Sequence, residues 1–343
     1  MNKPNVNKIC GTPLVAVYGA TLFLLAMTVA VSLRWGAARM SVGEIFGGLF
    51  CREGHEIATT IIFHIRLPRI VAAIIAGAGL SLSGELLQAV TENPLAAPSI
   101  IGINSGAGLG VMIFLSLLPT ATNVAGGLIM QLFAFLGAFF TTAIVISLAK
   151  RAGRGNSSII LAGIAVNALF NAAISFLSLL GVDALVSYNS FSIGGFSSVG
   201  YQMLIAPSAF VVVAAVVAIV LSPKIDLLML GADAAALLGA HVRALRISAV
   251  VLASIAAASA VSISGLIGFV GLVTPHISRR IAGSTVSRSL PLSLILGALI
   301  TTLADLFGRV LIPPTEIPVG ITMAVLGVPF FIVLLMRGRR GYL

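Results

Sequence analysis

Charge is scarce in this sequence. Only 9% of its 343 residues are charged, where a soluble domain carries about a quarter. With 59% of residues hydrophobic and a mean hydropathy of +1.13, too little polar surface exists to cover a water-soluble fold. The bilayer is the solvent this composition suits. Short alternating segments are missing as well. Runs such as Val211 to Leu221 are apolar at every position, which argues against a transmembrane β-barrel. Cysteine is nearly absent. Cys10 and Cys51 stand far apart and allow neither a disulfide framework nor a thiolate metal site. The histidines His55, His64, His241 and His276 do not stand at ligand spacing with another ligand type, so no metal site is expected. There is no Gly-x-x-x-x-Gly-Lys-Ser/Thr phosphate loop and no nucleophile elbow. The chain is therefore expected to have no catalytic residues and to bind no cofactor. Any ATP it depends on must be hydrolysed by a partner.

Acids are outnumbered: 20 Lys and Arg stand against 10 Asp and Glu, a formal net charge of +10. The basic residues fall between apolar runs, the distribution that the positive-inside rule produces, and no nucleic-acid partner is expected. A span needs about 20 mostly apolar residues, and counting on that basis gives about ten spans. They start near Pro13, Leu67, Leu95, Val124, Ser157, Tyr201, Leu245, Ile263, Leu290 and Ile317. The seventh and eighth together cover Leu245 to Ile277, which also fits one long helix and a re-entrant segment. The first run, Pro13 to Leu33, lacks a clear small-residue cleavage site and reads as a retained span. The expected fold is all-α and integral to the membrane, with residues 1–343 as one transmembrane domain.

Placing both termini in the cytoplasm puts Lys150, Arg151, Arg154, Arg243, Arg246, Arg279, Arg280 and the tail Arg337-Gly-Arg-Arg340 inside. Arg34, Arg39, Arg52, Arg66, Arg69 and Arg309 then lie outside. Fixed charges there suit docking of an acidic partner. Ser81-Leu-Ser-Gly84 and Ser262-Ile-Ser-Gly265, each followed by a proline (Pro94 and Pro275), hint at an internal duplication.

The inner loop at about residues 222–246 carries Gly231-Ala-Asp233-Ala234-Ala235-Ala-Leu-Leu238-Gly239. It resembles the EAA loop of ABC importer permeases. Asp233 suits the start of a short helix, the alanines keep that helix slim, and Gly239 permits a sharp turn into a second short helix. The likeness extends along the chain. It includes Arg66-Leu-Pro-Arg69, Gly77-Ala-Gly-Leu-Ser-Leu-Ser-Gly84, Leu87-Gln88, Asn93-Pro-Leu-Ala96 with Pro98, and Gly102-Ile-Asn-Ser-Gly-Ala107. It continues through Gly265-Leu-Ile-Gly-Phe-Val-Gly-Leu272, Pro275-His276, Arg279, Ala304-Asp305, Arg309, Glu316-Ile-Pro-Val-Gly320 and Gly327-Val-Pro-Phe330. From Arg66 to Leu335 the chain resembles the FecCD family, permeases for iron-siderophore, haem and cobalamin import.

That resemblance implies the type II ABC importer fold, ten helices per subunit, in a bacterial inner membrane. It implies a second permease subunit (identical or a paralogue), two ATP-binding subunits that hold ATP-Mg, and a periplasmic or lipid-anchored substrate-binding protein. It implies docking of that protein on Arg66, Arg69 and Arg309, and ATPase coupling through Asp233, Ala234, Ala235, Leu238 and Gly239. A cytoplasmic gate is implied at Asn93, Leu95 and Asn156. Transport would proceed by ATP-driven alternating access, with a ferric siderophore or related chelate as cargo. Haem or cobalamin import, and more remotely an ion-coupled secondary transporter, are the alternatives.

Glu85 departs from the family pattern, which has a small apolar residue there. An acid inside a span is expensive and often functional. It lines the pathway, with Gln88 beside it, or is neutral or paired near the inner end. The first reading predicts that Glu85→Gln alters transport more than stability.

Overall fold

The computed structural model describes residues 14–36, 40–118, 124–152, 157–313 and 315–338. Among them every regular element is helical, as the long apolar runs require, because a lipid-exposed backbone must satisfy its hydrogen bonds within its own segment. The helices are α1 (Leu14–Arg34), α2 (Val42–Leu49), α3 (Glu56–Thr60), α4 (Leu67–Thr91), α5 (Ile103–Leu117), α6 (Val124–Ala152), α7 (Ser157–Ser178), α8 (Val182–Ile193), α9 (Tyr201–Leu228), α10 (Ala232–Leu237), α11 (Val242–Ser264), α12 (Val270–Ala282), α13 (Val286–Val310) and α14 (Val319–Gly338).

Seven stretches among the described residues are long and apolar enough to cross a membrane: α1, the run Glu56–Thr91, α6, α7, α9, α11 and α13. The expectation of about ten spans is met only in part. The third begins at Ile103 rather than near Leu95, because residues 92–102 form turns around Pro94 and Pro98. It has only 15 residues. The eighth, α12, begins at Val270 and has 13 residues with Arg279 and Arg280 in its last turn. Leu245 to Ile277 is therefore not one helix: α11 ends at Ser264, and the chain turns through Gly265 (φ +69°) and Phe269 (φ +67°) before α12. The short helices α2, α3 and α8 were not expected. The suggested duplication finds no structural match. Gly84 lies inside α4, whereas Gly265 ends α11.

Pro68 would clash with the carbonyl four residues back in a regular helix. The chain meets it with a wide π-helical turn, Ile61–Arg66, that runs directly into α4. The bundle centres on α4, α11 and α13. In α4 and α11, 78% of the most apolar stretch is buried, against 11% in α1 and 17% in α7. Small residues allow this proximity. A Cβ added to Gly77 of α4 would lie 2.2 Å from the Gly297 carbonyl oxygen of α13, so the two backbones touch there. Antiparallel to each other, α4 and α13 carry one polar cluster above this crossing and one below.

Candidate functional site

At the end of the bundle where α4 begins, Arg69 meets Asp305 of α13. Its Nε donates to both carboxylate oxygens, at 3.0 and 3.2 Å, and its Nη2 lies 2.9 Å from Oδ1. Its Nη1 donates to Glu316 Oε2 at 2.6 Å. Arg309, one turn beyond Asp305, places Nε 3.1 Å from Asp305 Oδ2. Its Nη1 donates to the carbonyls of Ser32 and Trp35, both at 3.4 Å. Arg66 donates to the Leu33 carbonyl. Carbonyls at a helix C-terminus lack intrahelical partners and attract cations. Arg66 and Arg309 thus cap α1, while Arg69 ties α4 to α13.

Arg66, Arg69 and Arg309 are only 4%, 9% and 3% exposed. In the single chain their guanidinium groups are largely buried within the bundle. A buried cation is stable only when paired and hydrogen-bonded, and Asp305 with the α1 carbonyls supplies that. Glu316, with a side chain 30% exposed, forms the rim of the cluster.

Below the crossing, Ser81 Oγ lies 2.7 Å from both Thr274 Oγ1 and Ser293 Oγ, joining α4, α12 and α13. One turn on stands Glu85, with no exposed surface. Its Oε1 accepts from Arg279 Nε at 2.9 Å and from Ser289 Oγ at 2.6 Å. Arg279 also donates to Gln88 Oε1 at 3.0 Å and to the Glu85 carbonyl at 3.2 Å. Gln88, 2% exposed, donates to the Gly271 carbonyl at 3.4 Å. Glu85 is thus paired with Arg279 near the inner end of α4. Arg279 projects from α12 back onto α4 and holds Glu85 and Gln88 together.

The same end carries the segments that the sequence led one to expect as gate and coupling elements. Asn93 Oδ1 accepts from the Leu95 N–H at 2.9 Å, a local turn that fixes the loop after α4. Asn156 lies outside the described residues. In α10, Asp233 makes no capping hydrogen bond. Gly231 (φ +95°) is the N-cap and Asp233 sits in the first turn, where a negative charge favours the helix dipole. The helix ends in a Schellman motif: Ala240 N–H donates to the Ala235 carbonyl and Gly239 N–H to Ala236, each at 3.0 Å. Gly239, at φ +82°, permits it. The expected second short helix is absent. After Ala240 and the N-cap His241 the chain enters α11 at Val242.

Ala235 is buried against the bundle, whereas Leu237 is 90% exposed and Leu238 61%. Leu230 and Met229 extend the apolar face, at 61% and 40% exposed. Leu237 was missed by sequence reasoning, since a leucine beside a leucine-glycine pair carries no signal of its own. Asp305, Glu316 and Arg279 lay within quoted motifs without an assigned role. Acids in or beside a span call for a basic partner, and that signal was available. His276 sets its ring edge-on to Phe330 with centroids 5.8 Å apart. No cluster of three or more His, Cys, Asp or Glu fit to hold a metal ion occurs among the described residues.

The model of the FecCD transport family matches residues 24–337. The chain is 35% identical to the Fe(3+)-citrate import system permease protein YfmE of Bacillus subtilis (strain 168), covering 94% of this chain and 95% of that one. It is 33% identical to the hemin transport system permease protein HmuU of Yersinia pestis, covering 92% and 95%. A solved metal-chelate type ABC transporter in an inward-facing conformation superposes with a TM-score of 0.83 at 30% identity, covering 94% of this chain and 99% of that one.

Proposed function

Since this chain belongs to the FecCD transport family, we propose that it is the permease subunit of an ABC importer that passes a ferric siderophore or related metal chelate across the bacterial inner membrane. Its activity is transport, and ATP-Mg is bound and hydrolysed on two separate subunits. The observation that carries this reading is α10. A six-residue helix between two positive-φ glycines holds Leu237 and Leu238 in the open, at the end of the bundle opposite the arginine cluster. Leaving two leucines in water forgoes about 1.5–3 kcal/mol each. A cleft on an ATP-binding subunit would bury them.

The proposed assembly adds a second permease subunit, identical or a paralogue, and a periplasmic or lipid-anchored binding protein. Both termini lie in the cytoplasm, and α5, α12 and α14 complete about ten membrane-embedded segments by packing within the bundle rather than by length. Docking of the binding protein centres on the Arg69–Glu316 rim, where a carboxylate of the partner exchanges with Glu316. The loop from Asn93 to Leu95, with Asn156, forms the cytoplasmic gate. ATP binding drives α10, and the two permease halves alternate between outward and inward states. Haem is the second cargo to test, because a haemin permease is among the relatives. An ion-coupled mechanism loses its main support, since Glu85 is committed to Arg279.

The test is uptake of a ferric siderophore, with haemin in parallel, into vesicles holding the reconstituted assembly. Uptake is expected to require ATP and stop with vanadate. Leu237→Asp is expected to weaken association with the ATP-binding subunit by more than about tenfold. Vanadate-resistant uptake, or full association of Leu237→Asp, would overturn the reading.

A further inference from the structure

The coupling helix α10 is short and flanked by glycines, and within it only Ala235 is buried against the bundle. What it moves depends on where the chain on either side is fastened. On the α9 side the charged tie is Asp226. Its carboxylate accepts from the backbone N–H of Val286 at 2.5 Å and of Ser287 at 3.3 Å, and from the Ser287 hydroxyl at 2.5 Å. It supplies the N-terminal cap that Thr285, which makes no capping hydrogen bond, does not give to α13. In the same turn of α13, Ser289 donates to Glu85 of α4 at 2.6 Å. On the α11 side Arg246 reaches back, and its Nη2 lies 3.2 Å from Glu92 Oε1. Glu92 ends α4 with a left-handed backbone, φ +51°, and directly precedes Asn93.

Both flanks of α10 therefore lead to the final two turns of α4. One tie is direct, Arg246 to Glu92. The other runs through the first turn of α13, from Asp226 to Ser289 to Glu85. The loop that follows, Asn93 to Leu95, continues directly from Glu92 and is closed by its own turn.

We infer that Arg246–Glu92 and Asp226–Val286/Ser287 are the two positioning ties that pass movement of α10 to the inner end of α4 and so to the loop at Asn93–Leu95. This rests on the reading of α10 as the ATPase contact. The Arg246–Glu92 pair is partly exposed on both sides, and such pairs contribute little to folding. Its removal tests transmission without threatening the fold.

The experiment uses the assembled transporter, with its ATP-binding subunits, in membrane vesicles. Cys10→Ser and Cys51→Ser clear the background, and Leu95→Cys is the reporter. The rate of labelling by an impermeant maleimide is read with and without ATP plus vanadate. In the parent, nucleotide is expected to change that rate. With Glu92→Gln the change is expected to shrink by about fivefold while ATP hydrolysis continues. The exchange Glu92→Arg with Arg246→Glu is expected to restore it. Asp226→Ala should shrink it likewise, and Asp226→Asn, which keeps an acceptor oxygen, should retain more. An undiminished nucleotide response in Glu92→Gln and Asp226→Ala, or a charge exchange that fails to restore it, would overturn the inference and leave the ATPase reading intact. A parent that neither holds an ATP-binding subunit nor responds to nucleotide would overturn both.

Discussion

Arg279 and Glu85 meet across α12 and α4 at 2.9 Å, with the carboxylate fully buried and Ser289 donating to the same oxygen. Breaking such a pair leaves an uncompensated charge, at a cost of about 3–5 kcal/mol. Glu85→Ala is therefore expected to lower thermal stability strongly, and Glu85→Ala combined with Arg279→Met to recover most of it. Thermal unfolding of the purified variants in detergent is the measurement. A Glu85→Ala variant as stable as the parent would contradict the pairing.

Glu316 engages Arg69 at the rim of the other cluster and is the more exposed partner. Glu316→Gln should cost about 1–3 kcal/mol of stability, since Arg69 then keeps only Asp305, which it shares with Arg309. It should tighten docking of the binding protein, since its incoming carboxylate no longer competes with Glu316. Titration with the purified binding protein checks this. Unchanged or weaker affinity would remove Glu316 from the docking surface.

At Gly77 there is no room for a side chain. A Cβ would meet the Gly297 oxygen at 2.2 Å and Thr301 Oγ1 at 2.6 Å. Gly77→Ala must spread α4 from α13, with a penalty of about 1–3 kcal/mol. Gly43→Ala, where a Cβ meets nothing within 4 Å, is the control. Equal thermal midpoints for the two variants would show that the helices cross elsewhere.

The α2 helix opens with a reciprocal cap. The Ser41 N–H donates to the Glu44 carboxylate at 2.7 Å, and the Glu44 N–H donates to Ser41 Oγ at 3.3 Å. The hydrogen bond from the Ser41 backbone, then that from its side chain, lowers the Glu44 pKa from 4.5. A depressed carboxyl pKa contributes stability above its unfolded value, and that stability is lost as pH falls through the folded one. Amide exchange in α2 should accelerate, relative to a Ser41→Ala, Glu44→Gln variant, as pH drops below about 4.5. A pH-independent difference between the two would exclude the cap.

Much of the frame was legible in the sequence because hydropathy is local and additive. The starts of α1, α6, α7 and α9 follow from where long apolar runs begin, whatever they pack against. The Gly231 to Gly239 turn follows from backbone sterics, since its glycines take φ values that other residues resist. Tertiary structure alone decided what the charged residues do. Arg69 and Asp305 are 236 positions apart, and Arg279 and Glu85 are 194 apart. Whether such a residue meets a ligand, a partner protein or its own chain depends on which helix faces meet after packing. No local property of the sequence encodes that. In a low-dielectric interior a fixed charge turns towards the nearest opposite charge. That is why Arg69 and Arg309 turn to Asp305, and why Glu85 joins α4 to α12 and α13.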